Sequence, residues 1–174
     1  MNERVKSLID TLGMAPHPES GWYVETYRAP LLLDGLPHGA PRNASTAIYF
    51  LLSRDKPRTY LHRLASDELF HLYEGGPLDV VLLYEEGHGE VRRLGLDLAA
   101  GARPQLVIPR GTWFAAELDD AAAHCLFGCT VAPGFDFADF DLATGPELAA
   151  RYASQDGATE EPSLAARIAR MTRR

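Results

Sequence analysis

A chain of 174 residues, 46% hydrophobic and 24% charged, is long enough for one well-formed core and short for two. Its formal net charge of -7 excludes the basic footprint that a nucleic acid or an anionic membrane surface requires. No apolar run reaches the length of a membrane span, and the charged start MNERVKSLID lacks a signal peptide's apolar centre, so a cytoplasmic protein with no membrane partner is expected.

In chain order, Val5, Leu8, Ile9 and Leu12 recur at helical spacing and Gly13 stops the run, which predicts an N-terminal helix over about 3–12. WYVETY then alternates like a strand, and LLLDGLPHGAPRN, rich in Gly and Pro, reads as a loop. STAIYFLL, TYLHRLA, ELFHLYEG, LDVVLLYEEG, EVRRLGLDL, PQLVIP, WFAAEL and HCLFGCTVA follow as short β-like runs separated by turn signals. Such spacing without intervening helical patterns predicts an antiparallel sandwich or barrel. PGFDFADFD alternates Phe135, Phe137 and Phe140 with Asp136, Asp139 and Asp141, the pattern of an edge strand with one wet face. Pro146–Tyr152 and Ser163–Met171 read as helices split by the polar loop ASQDGATEEP. The expectation is a single domain over 1–174, with a β barrel over about 20–142 and C-terminal helices over about 146–171.

Cys125 and Cys129 share a strand face but lie about 13 Å apart at roughly 3.3 Å per residue, beyond the roughly 7 Å that a disulfide spans. They read as two small buried hydrophobes.

The chemistry-bearing stretch is YLHRLASDELFHLYEGG. Alternation puts Tyr60, His62 and Leu64 on one face of a strand and Glu68, Phe70 and Leu72 on one face of the next, with His71 and Tyr73 opposite. The short turn between them brings His62 and Glu68 to the same pocket end, where a His and a Glu can pass a proton or ligate a metal. Ile48, Phe50, Leu64, Phe70, Leu72 and Val107 are candidate walls. His17 and Glu19, at a proline-rich turn, either close the pocket mouth or face solvent. Glu25 and Arg28 pair with each other or with a partner subunit. Arg42 and Thr46 lie at the start of STAIYFLL, where a buried guanidinium suits an anionic ligand. Gln105 offers an amide to the pocket, and Trp113 and Phe114, on opposite faces, offer one aromatic wall.

These pieces resemble a known family. HPESGWYVETYR, STAIYFLL, HRLASDELFHLYEGGPL, LGLDL, PQLVIPRGTW and CTVAPGFDFADF run in order from His17 to Phe140 and resemble the fifth cupin family, long catalogued as a domain of unknown function. The cupin pattern has HxH on one strand, a Glu opening the next and a Gly seven positions later; Glu68 and Gly75 match, and His62 stands near the second histidine. A second motif is matched by Gly101, Pro109 and Gly111. The resemblance implies a double-stranded β-helix, or jelly roll, with short terminal helices. It also implies a metal at positions of which only His62 and Glu68 remain, because Tyr60 and Phe114 stand where the other two histidines would be. Catalytic zinc sites carry three protein ligands, so the expectation is that no cofactor is required and that a divalent metal is doubtful.

Three functions are compatible with these residues. The leading one is a small-molecule enzyme of isomerase or epimerase type, acting on a sugar-like or keto-acid-like ligand through His62 and Glu68. The alternatives are a metal-dependent dioxygenase or isomerase, and a non-catalytic binding or sensing protein. A homodimer is also expected, since the amphipathic N-terminal segment and the WYVETY edge offer apolar area and unpaired backbone.

Overall fold

A strand buried on one face repeats its apolar residues every second position, so register decides what enters the core. The computed structural model describes residues 2–144, 146–152 and 163–173; the polar segment ASQDGATEEP lies outside them. The elements are α1 (Glu3–Leu12), β1 (Ala15–Pro16), β2 (Trp22–Arg28), β3 (Leu32–Leu33), β4 (Arg42–Asn43), β5 (Thr46–Ser53), β6 (His62–Leu64), β7 (Asp67–Gly75), β8 (Leu78–Leu83), β9 (Gly89–Leu94), β10 (Gln105–Ile108), β11 (Trp113–Leu118), β12 (His124–Ala132), a 3-10 turn (Phe137–Asp139), β13 (Phe140–Leu142), α2 (Glu147–Tyr152) and α3 (Leu164–Met171).

The strands form a six-stranded sheet ordered β1-β2-β5-β12-β7-β10, a five-stranded sheet ordered β13-β6-β11-β8-β9, and the small pair β3-β4. The pairings nest: β8 with β9, β7 with β10, β6 with β11 and β5 with β12, all antiparallel. One long hairpin, tipped between β8 and β9, is thus rolled so that alternate strand pairs fall in opposite sheets. This is the double-stranded β-helix that the family resemblance implied.

Between the sheets, Phe50, Phe70 and Phe127 meet Leu64, Val80, Leu82, Phe114 and Ala116 in one cluster. Their rings interlock, with Phe70 and Phe127 centroids 4.9 Å apart; burying each such side chain stabilises the fold by about 1.5–3 kcal/mol. Each sheet also has a helix on its outer face. Val5 and Leu8 of α1 pack on Leu51 and Leu126, while Tyr152, Ile168 and Met171 cover Leu61, Val81, Leu83 and Ala115. α1 is capped by Asn2, whose side chain accepts from the Val5 amide at 2.8 Å, and ends at Gly13, left-handed at φ 66°. Its apolar face is therefore covered within the chain, against the outer face of the six-stranded sheet. α3 is also held by charge, Arg167 reaching Asp79 at 3.0 Å and Glu117 at 3.3 Å. No described helix is long and apolar enough to cross a membrane.

The structure corrects several local expectations. The Gly- and Pro-rich stretch after β2 contains the paired β3 and β4. The aromatic-acid run is not one strand: Asp136 caps a 3-10 turn by accepting from the Ala138 amide, and only Phe140–Leu142 pairs, with β6. Val107 faces outward at 45% exposure because β10 turns Leu106 and Ile108 inward. The Arg42 guanidinium is not free for an anionic ligand, since it grips Asp139 at 2.6 and 2.7 Å.

That pair fastens the 3-10 turn to β4, and both side chains are under a tenth exposed (7% and 9%). Truncating one partner leaves the other charge unmatched and frees the turn it holds. Arg42→Ala is expected to lower the thermal midpoint. Adding Asp139→Ala should restore part of the loss, and thermal denaturation of the three proteins checks both.

Candidate active site

The core does not fill the whole space between the sheets. At one end it gives way to a cavity of about 310 Å³, the size that takes a small molecule. Alternation supplies its walls: Thr46 and Ile48 from β5, Glu68 from β7, Cys129 and Val131 from β12, and His62 and Leu64 from the facing sheet. The turn before β2 adds His17 and Glu19, β2 adds Tyr23, Glu25 and Arg28, and the segment after β12 adds Phe135, Asp136, Phe137 and Phe140.

The turn at His17–Gly21 delivers Glu19. The Ser20 amide donates to the His17 carbonyl at 3.0 Å and the His17 amide to the Gly21 carbonyl at 3.2 Å. Both Ser20 (φ 93°) and Gly21 (φ 74°) are left-handed, the region that favours glycine. A Cβ on Gly21 would lie 2.6 Å from the Phe50 ring and 2.9 Å from the Leu51 carbonyl, so position 21 accepts only glycine in this backbone. The backbone of Tyr60 then docks the turn: its N–H donates to the Glu19 carbonyl at 2.9 Å, and its carbonyl accepts from His62 Nδ1 at 2.8 Å.

A carbonyl only accepts, so Nδ1 of His62 carries a hydrogen and the neutral ring has its lone pair on Nε2. Glu19 Oε2 lies 2.8 Å from the same Nδ1, yet it has no aligned donor among the described residues. The two observations agree once the single Nδ1 hydrogen is assigned to Tyr60: Glu19 acts on His62 through its charge. Burial pulls the His62 pKa down, but Glu19, Glu68 and the Tyr60 carbonyl together raise it above its usual 6.5. Glu68 behaves as a buried acid should. Desolvation pushes its pKa up to about 7, with Glu19 adding to the rise while His62 and a hydrogen bond from Cys129 oppose it. Burial, with Glu68 and Glu19 nearby, raises Cys129 well above a normal thiol, so it stays an S–H donor. One oxygen of Glu68 and one of Glu19 are thus buried without a hydrogen-bond partner among the described residues.

Of the residues singled out from sequence, the structure brings His62, Glu68 and Thr46 to the cavity wall. It does not pair His62 with Glu68; the acid against the imidazole is Glu19, from a turn that sequence reasoning left between pocket and solvent. Tyr60 contributes its backbone. Phe70 and Phe114 are core residues beneath the cavity, the Phe114 ring 4.1 Å from that of His62. Trp113 turns to the outer cluster, where the Arg63 guanidinium lies 4.8 Å over its ring. Gln105 is exposed on the outer face and bonds His71 Nδ1 at 3.1 Å, and His71 reaches Thr130 at 3.2 Å on that same outer face. Sequence reasoning missed Tyr23, Cys129 and the aromatic trio Phe135, Phe137 and Phe140; for Cys129 the signal was available, since Cys125, Phe127, Cys129 and Val131 alternate onto one face. Arg28 is occupied by Glu25 at 2.9 and 2.7 Å, by Asn43 at 2.9 Å and by the Phe135 carbonyl at 3.2 Å.

Of the metal positions implied by the cupin pattern, only His62 and Glu68 remain: an apolar ring stands at Phe114 and Tyr60 contributes its backbone, so two of the four ligands are lacking. Among the described residues no three His, Cys, Asp or Glu side chains are grouped to hold a metal ion.

The raised acid has a consequence for stability. Glu68 binds its proton more tightly folded (about 7) than unfolded (4.5), so its contribution is full below about pH 4.5 and is lost as pH rises to about 7. His62, also raised, contributes with the same sign, fully below 6.5 and less as pH climbs through its folded value. Glu68→Gln should therefore gain on the wild type between about pH 4.5 and 8, by at most about 3 kcal/mol at 1.36 kcal/mol per unit. Urea denaturation of both proteins across that range checks it.

The family model described as Cupin superfamily (DUF985) matches residues 6–143. An uncharacterized protein of Saccharomyces cerevisiae, YML079W, is 28% identical over 173 residues, covering 92% of this chain and 86% of its own. The structure of protein SO0799 from Shewanella oneidensis superposes with a TM-score of 0.82 at 32% identity, covering 97% of this chain and 96% of that one. A hypothetical protein from Leishmania major gives the same TM-score of 0.82 at 30% identity, over 97% and 98% of the two chains. Oxalate decarboxylase of Bacillus subtilis shares the fold alone, with a TM-score of 0.52 at 16% identity over 77% of this chain and 31% of that one. The chain belongs to the DUF985 family of the cupin superfamily.

Proposed function

We propose that this protein is a small-molecule enzyme of the isomerase or epimerase type, moving a proton on a sugar-like carbonyl compound. The observation that carries the reading is the state of His62. Its Nδ1–H is fixed on the Tyr60 carbonyl beside the Glu19 charge, which leaves Nε2 as the basic atom in a cavity that also holds Glu68, an acid protonated up to about pH 7. His62 and Glu68 come from facing sheets, so they approach a bound ligand from two sides.

In the step this supports, His62 Nε2 takes the proton from the carbon beside a carbonyl. The C–H electron pair becomes the new carbon–carbon π bond and the carbonyl pair moves onto oxygen. Glu68 returns a proton to carbon from the other wall as the pair on oxygen re-forms the carbonyl, and the proton on His62 then passes through solvent to the Glu68 carboxylate, restoring both groups. An acid that titrates at about 7 and a histidine raised above its usual 6.5 suit that exchange. The wall favours a neutral polyol over a keto acid. Glu19, Glu25, Glu68 and Asp136 surround the cavity, against one arginine, Arg28, already engaged by Glu25. The unpartnered oxygens of Glu19 and Glu68 call for hydroxyl donors, and Tyr23, Phe135, Phe137 and Phe140 offer ring faces to a sugar's C–H surface.

Proton exchange in heavy water, followed by NMR over a panel of aldoses, ketoses and 2-keto acids, tests the reading. The expected result is deuterium entering beside the carbonyl of at least one sugar and of no keto acid. His62→Gln should slow it by about 10²–10⁴-fold with the circular dichroism unchanged. Sugar binding without exchange would make this a binding protein, and exchange confined to keto acids would overturn the ligand class.

A further inference from the structure

Proton removal by His62 leaves negative charge on the ligand's oxygen, and a donor must meet it. His62 is the base, Glu19 accepts, and the proton that Glu68 carries is committed to carbon. The remaining cavity imidazole is His17. Its side chain is only 7% exposed, held edge-on against Tyr23 at 4.6 Å and Phe50 at 5.4 Å between centroids. The backbone amide of Glu19 donates to its Nδ1 at 3.3 Å. An amide only donates, so Nδ1 is the lone-pair nitrogen and the hydrogen of the neutral ring sits on Nε2. A second proton would have to enter at Nδ1, against that amide, with Glu19 Oε1 3.5 Å from the same nitrogen.

The two histidines are therefore held in opposite tautomers. His62 keeps Nδ1–H, facing a carbonyl, and His17 keeps Nε2–H, because its Nδ1 faces an amide. Glu19 makes both arrangements, its side chain beside His62 and its amide on His17. Neither Nε2 has a hydrogen-bond partner among the described residues, and both rings line the cavity.

We propose that His17 is the cavity's neutral hydrogen-bond donor, its Nε2–H binding the ligand's carbonyl oxygen and stabilising the charge that develops there when His62 takes a proton. This rests on the proton-transfer reading above. His17 keeps its own proton throughout; the hydrogen bond shortens as the oxygen gains charge. A cationic imidazole would transfer its proton instead of holding it. Burial, reinforced by the positive charge of His62, lowers the His17 pKa against the pull of Glu19, which keeps the ring neutral.

Nitrogen-resolved NMR of the imidazoles, with dihydroxyacetone as the probe, tests this apart from turnover. At a pH above the raised His62 value, the His17 ring should show the neutral Nε2–H form and His62 the Nδ1–H form, and saturating dihydroxyacetone should shift the His17 Nε2–H signal. In the heavy-water assay His17→Phe should lower the exchange rate at saturation by about 10²-fold or more, while His17→Gln, which keeps an N–H donor, recovers part of it. A shifted Nε2–H signal with no exchange in the wild type would sink the proton-transfer reading and leave His17 as the ligand's donor. A charged ring, an Nδ1–H tautomer, a signal unmoved by the probe, or His17→Phe exchanging at the wild-type rate would each overturn the proposal.

Discussion

Rolling one antiparallel hairpin into two facing sheets forces the inward side chains of β5, β6, β7, β11 and β12 into a single apolar layer. Any polar group on that layer must be satisfied from within the chain or cost the fold its desolvation. Most positions meet this with Phe, Leu, Val or Ala. His62 and Glu68 meet it only in part, and their partial satisfaction defines the site. The backbone of one residue, Tyr60, does much of the work by gripping the Glu19 turn with its N–H and His62 with its carbonyl.

The charges at the site are arranged for contrast. Two buried carboxylates, Glu19 and Glu68, and two imidazoles share one small cavity, but each is held differently. Glu19 lies against His62, while Glu68 sits beside a thiol that cannot ionise under the same conditions. Each imidazole has one nitrogen fixed by a backbone group, a carbonyl for His62 and an amide for His17. Backbone groups do not titrate, so the tautomers are set by the fold and not by the surrounding pH. This is preorganisation in a literal sense: the hydrogen positions are decided before a ligand arrives.

The periphery protects that arrangement. The buried Arg42–Asp139 pair fixes the 3-10 turn that carries Phe137, and Arg28 ties β2 to the Phe135 carbonyl. Both arginines near the cavity are thereby spent on holding its rim, which leaves the interior acidic. Helices on the outer faces of both sheets cover part of the apolar area that a bare barrel would expose.

Much of this was legible in the residues themselves. Period-two alternation correctly turned His62, Glu68, Phe70 and Leu72 inward and His71 and Tyr73 outward, and helical spacing with a Gly stop marked Glu3–Leu12, because both patterns depend on neighbours a few positions apart. The glycines and prolines at turns carried the family resemblance for the same local reason. Alternation could not say which inward residues reach the cavity and which, like Phe70 and Phe114, fill the core beneath it, since that depends on how far the sheets are packed along their length. Nor did it assign the phase of the short β10, where Leu106 and Ile108 turn in and Gln105 and Val107 turn out. The partner of His62 was beyond local reading altogether. Glu19 reaches it only because a left-handed turn at Ser20–Gly21 docks on the Tyr60 peptide, a contact between segments far apart in sequence. Local sequence determined the strands and their faces; the tertiary structure decided which acid meets which base, because that is set by the closure of the barrel end and not by any spacing along the chain.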